Sequence, residues 1–129
     1  MALKFEALLC DDIRREANGK LILVGVYLAN IAMAEPATIS LDLHIGITAS
    51  KPGDYNLEFT LASPTGKKTL SKGNLKIERA DTRTFIEIKG IQVSFEKNGW
   101  LDMSVRVNSG KPRSLLRTKI EIGSESSKT

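Results

Sequence analysis

The chain has 129 residues, 41% of them hydrophobic and 26% charged. That is one domain's worth of sequence with enough apolar material for a core, which argues against disorder. One cysteine, Cys10, excludes an internal disulfide and a disulfide-built secreted fold. The net charge of +4 is uneven: residues 1–66 hold 5 basic and 8 acidic side chains, residues 67–129 hold 14 and 7. Such a split either points to an anionic partner or simply solvates a mixed surface.

In chain order, Lys4, Glu6, Asp11 and Asp12 interrupt any signal-peptide core, so the cytoplasm is the expected compartment. Asp11 to Glu16 reads as one helical turn or as a strand running toward Asn18-Gly19, a strong hairpin signal. Leu21 to Tyr27 is apolar on both parities, the pattern of a central strand covered on both faces. The apolar stretch from Leu21 to Ala34 is broken by Asn30 and is shorter than the roughly 20 residues a membrane span needs. Residues 28–36 end in Pro36 and read as a connection. It either tucks Ile31 and Met33 under the sheet edge or exposes them to a partner or a second copy.

Period-two alternation then dominates. Ile39, Leu41, Leu43, Ile45 and Ile47 alternate with Ser40, Asp42, His44, Gly46 and Thr48, which predicts a strand with one dry and one wet face. The pattern recurs at Tyr55–Leu61, Leu101–Val107 and Leu116–Ile122. Between Phe85 and Phe95 the apolar parity switches at Gly90, where a bulge would restore register. Pro52-Gly53-Asp54, Pro64-Thr65-Gly66, Asn98-Gly99 and Ser109-Gly110-Lys111-Pro112 read as turns, and Asn98-Gly99 as a hairpin. No long window carries helical periodicity. The fold class is therefore all-β: one antiparallel two-sheet sandwich of about eight strands, immunoglobulin-like or similar, over residues 1–123 with a frayed polar tail at 124–129.

Little in this pattern points to chemistry. His44, the lone histidine, lies on a wet parity with no Cys/His cluster and no nucleophile elbow beside it. Negative neighbours disfavour a thiolate in Cys10-Asp11-Asp12, so Cys10 reads as a small buried apolar residue. Phosphate-binding glycine motifs are absent. The expectation is a non-enzymatic domain with no cofactor and no metal site.

The opening nevertheless resembles an uncharacterised bacterial domain family. The resemblance rests on Glu6-Ala7-Leu8-Leu9-Cys10-Asp11-Asp12-Ile13-Arg14, then Glu16, Gly19-Lys20 and Leu23-Val24-Gly25-Val26-Tyr27, with Gly53-Asp54-Tyr55 and Pro64-Thr65-Gly66 as later echoes. Trp100 follows its turn glycine where tyrosine is more usual. The resemblance implies a bacterial cytoplasmic β-sandwich and supplies no activity, cofactor or partner.

The function expected is protein binding or scaffolding, with another protein or a second copy as partner. Asp11, Asp12, Arg14 and Arg15 form the densest charged cluster, and Ile31 and Met33 are the candidate apolar anchors. The alternative is an anion or nucleic-acid module on the basic second half, using Arg106, Arg117 and Lys119, which share an outward parity.

Overall fold

The computed structural model describes residues 3–28 and 30–123. Residues 124–129, where a frayed tail is expected, lie outside the described residues. Among those described, nine strands form two sheets: β1 Leu3–Arg15, β2 Leu21–Tyr27, β3 Asn30–Met33, β4 Ala37–Ala49, β5 Gly53–Ser63, β6 Gly66–Ile77, β7 Thr82–Phe95, β8 Gly99–Val107 and β9 Arg113–Ile122. The first sheet runs β2-β1-β4-β7 and the second β3-β9-β8-β5-β6. All pairs are antiparallel except β3 with β9, which run parallel. The order is that of an immunoglobulin-like sandwich, with β4 and β7 in one sheet facing β9, β8 and β5 in the other.

Alternation builds the core. Leu41, Leu43, Ile45 and Ile47 on β4 are fully buried, and β7 adds Ile91, Val93 and Phe95. From the second sheet Leu57, Phe59, Leu61, Leu101, Met103, Val105 and Ile120 close over them. Each such side chain contributes about 1.5–3 kcal/mol by leaving water. Gly90 has a φ of 68°. Leu41 pairs with Ile91 but Leu43 pairs with Ile88, so Lys89 and Gly90 together oppose Asp42. This bulge is the parity switch read from the sequence, and it re-aims Ile91, Val93 and Phe95 into the core.

Of the two readings of Asp11 to Glu16 the strand holds: Asp11 to Arg15 continues β1, and the expected Asn18-Gly19 hairpin follows it, closed by a Gly19 N–H to Glu16 carbonyl bond of 2.9 Å. Other expectations are corrected. The strand covered on both faces is β4, where Asp42 and Gly46 are buried on the outer parity as well. Leu21–Tyr27 is an edge strand, bonded to β1 alone. Four residues of the 28–36 connection form β3, whose register with β9 places Ile31 beside Ile120 in the core. Asn98-Gly99 joins β7 to β8 across the two sheets, so it is not a hairpin turn. Asn98 instead accepts the Ile122 N–H at 2.7 Å.

Candidate functional site

The sequence-predicted charged cluster sits where β1 passes the β7 bulge. Every member of it is engaged within the chain. Tyr27 donates its hydroxyl to Asp11 at 2.5 Å, Arg14 pairs with Asp12 at 2.8 Å and Arg15 with Glu87 at 2.6 Å. Lys89 reaches Asp12 at 3.5 Å. The Tyr27–Asp11 bond braces β1 to β2, and Arg15–Glu87 and Lys89–Asp12 brace it to β7.

Beneath them is a residue that the alternation placed on a wet face. Asp42 is only 4% exposed. Its Oδ2 accepts the Ile13 N–H at 2.8 Å and its Oδ1 the Gly90 N–H at 2.9 Å, while Lys89 Nζ lies 3.1 Å away and donates also to the Ile13 carbonyl. The bulge creates this arrangement, because Gly90 turns its amide toward the opposing strand. Burial pushes the Asp42 carboxyl up, but the two amides and the Lys89 ammonium outweigh it and hold the group below the usual carboxylate range. The bond to Asp42 also raises Lys89, and the bond to Arg14 lowers Asp12. Burial, followed by the charge of Asp42, lifts the Cys10 thiol, and Cys10 is fully buried. Burial and the Asp11 carboxylate push Tyr27 up to about 12. A charge-satisfied carboxylate closing a bulge is a structural clamp. No sequence signal marks Asp42, because its partners come from β1 and β7.

The outer face of the first sheet is different in kind. Register aligns Val26 with Cys10, Leu8 with His44, His44 with Glu87, and Gly46 with Phe85. Ile22, Val24, Leu8 and Phe85 are large apolar side chains left 43%, 39%, 44% and 51% exposed. The His44 ring stacks on Phe85 with centroids 5.2 Å apart, and its Nδ1 is shielded from solvent without a hydrogen-bond partner among the described residues. The apolar anchors expected from the sequence are elsewhere: Ile31 is a core residue at 3% exposure, and Met33 is half-buried against the same core.

On the outer face of the second sheet, register brings Arg106 beside Glu58 and Glu58 beside Lys72, Arg117 beside Asp102, and Lys119 beside Trp100. Arg106, Arg117 and Lys119 therefore share one surface. Arg117 lies over the Trp100 ring at 4.4 Å and pairs with Asp102 at 3.3 Å, and Lys119 lies 3.8 Å from Glu121. Trp100 is 45% exposed. Sequence reasoning passed over it as part of this surface, although its parity with Asp102 and Arg106 on β8 carries the signal. Two adjoining depressions of about 460 and 330 Å³ cross β5 and share Glu58 and Arg106 in their walls. Asn56, Asn74 and Ser109 stand at the far end.

Residues 6–119 match the profile of a family described as "Family of unknown function (DUF6941)". The chain belongs to that family. No curated protein matches it significantly. Among solved structures, a β-glucosidase from Listeria innocua in complex with isofagomine is similar at 9% identity and a TM-score of 0.42, over 92% of this chain and 16% of that one. The Pseudomonas fluorescens alkylpurine DNA glycosylase AlkC, bound to DNA containing an abasic site analog, is similar at 17% identity and a TM-score of 0.42, over 93% and 30%. The chain thus spans less than a third of either protein, and neither likeness bears on what it binds.

Proposed function

We propose that this domain is a non-enzymatic protein-binding module of the bacterial cytoplasm that acts by strand addition at β2, and that the strand it takes is β2 of a second copy. One observation carries the reading: a strand with the composition of a sheet centre stands at a sheet edge with Ile22 and Val24 exposed. Soluble proteins guard such edges with lysine, proline or charge. β2, Leu-Ile-Leu-Val-Gly-Val-Tyr, contains none of these.

The strand also complements itself. Antiparallel pairing about a two-fold axis through Val24 sets Ile22 beside Val26 of the second copy and Val24 beside Val24, with no charge opposing a like charge. Two-fold pairing of identical patches is the commonest form of self-association. It would join the two sheets into one of eight strands and merge their apolar outer faces. The buried lone thiol fits a reducing compartment.

Light scattering after size exclusion, across micromolar concentrations, tests this. The expected species has twice the 14.1 kDa chain mass. Val24→Lys should give a monomer with an unchanged far-ultraviolet circular dichroism spectrum. A wild-type monomer throughout, or a dimer that survives Val24→Lys, overturns the reading.

A further inference from the structure

Independently of the β2 edge, we infer that the outer face of the second sheet is a binding site for single-stranded nucleic acid, with the phosphate backbone in the groove over β5. The groove has a physical cause. Thr60, Ala62 and Ser104 are neighbours in register, and their small side chains leave a hollow that the longer Arg106 and Lys67 overlook. Together the two depressions have the size of a ligand cleft.

Its charge is positive and partly uncommitted. Glu58 is engaged by Lys72 at 3.4 Å, whereas Arg106 and Lys67 have no acidic partner within 4 Å among the described residues. An arginine fork without a carboxylate is suited to a phosphate, which it can grip with two parallel bonds.

The far end of the groove is held in shape. Asn108 and Ser109 both adopt positive φ, 51° and 60°, which costs energy for residues with a side chain. Asn108 is pinned there twice: its amide donates to the Asn56 carbonyl and its side-chain oxygen accepts the Asn56 N–H, each at 2.8 Å. Asn74 then donates to the Asn56 side chain at 3.0 Å.

At the other end of β8 the Trp100 ring is 45% exposed, and the Arg117 guanidinium lies over it at 4.4 Å, so ring and guanidinium together offer a stacking surface. Single-strand binding combines these two elements, a basic groove for the backbone and an aromatic platform for a base. The residues that line the groove are mostly polar or charged, among them Asn56, Glu58, Lys72, Asn74, Arg106 and Lys67, which suits a phosphate backbone better than a peptide that docks through apolar anchors.

Fluorescence anisotropy with a labelled ten-nucleotide deoxythymidine oligomer tests the site. About two phosphate contacts, from Arg106 and Lys67, predict a slope near −1.4 in log K against log salt, a loss of about 7-fold between 50 and 200 mM. Arg106→Ala should reduce that slope by about 0.7. Trp100→Ala should weaken binding roughly tenfold with the slope unchanged, because stacking is insensitive to salt. Ala62→Trp, which fills the hollow from an outward position, should abolish binding while melting as the wild type does. Absence of salt-sensitive binding, Ala62→Trp binding at wild-type strength, or equal displacement by a polyglutamate peptide overturns the site. None of these readings depends on the oligomeric state, and Val24→Lys should bind the oligomer as wild type does per chain.

Discussion

Removing the Asp42 carboxylate would leave the amides of Ile13 and Gly90 buried without an acceptor and Lys89 without its closest counter-charge. Asp42→Ala should therefore cost about 2–4 kcal/mol, read as a lower urea midpoint with unchanged m-value. Asp42→Asn should fall between, since its amide group faces two N–H donors with one oxygen. Gly25 is a second sensitive position. Its φ is 67°, and a Cβ there would collide with the Asp11 carboxylate. Gly25→Ala should cost about 1–2 kcal/mol through the left-handed backbone alone. The sequence carried half of this. Gly90 was readable as a bulge because the apolar parity changes across it. Asp42 was not, because alternation assigns a face but cannot say that a two-residue bulge on another strand will cover it.

Strands that alternate over many residues were legible element by element, since burying one face fixes both type and register. β3 was not, because four residues beside Pro36 are too few for a period, and its partner β9 lies far along the chain. β2 illustrates another limit. Apolar residues on both parities state that both faces want cover, but do not state what supplies it. Within one copy, β1 covers one edge of β2 and Tyr27 is its one side chain packed against the core among the described residues, so Leu21 and Leu23 stay half-buried while Ile22 and Val24 are exposed. The charged cluster of Asp11, Asp12, Arg14 and Arg15 was legible as a cluster. Its role was not, since Tyr27, Glu87 and Lys89, the groups that occupy it, arrive from β2 and β7.

For the molecule as a whole the shifted groups set both limits of pH stability. Asp42 and Asp12 have folded values below the ordinary carboxylate range. Their contribution is present above about pH 4 and is lost as pH falls through the folded values. Tyr27 and Lys89 are raised, so theirs is present below their ordinary values near 10 and is lost as pH climbs through the folded ones, about 12 for Tyr27. Cys10 is raised as well, from an ordinary thiol value of about 8.5, so urea midpoints should be level between roughly pH 5 and 8 and decline on both sides. Tyr27→Phe should narrow the gap between pH 7 and pH 11. The parallel pairing of β3 with β9 has a further consequence, one of timing. Asn30 meets Lys119. At ribosomal speeds of about 5–20 residues per second, β3 waits some 5–20 s for its partner to be made. Through that interval Ile31 lacks its ladder partner Ile120, and the backbone groups of β3 that β9 will bond stay open. Chaperone capture, or docking against a neighbouring nascent copy, would have its opportunity in those seconds.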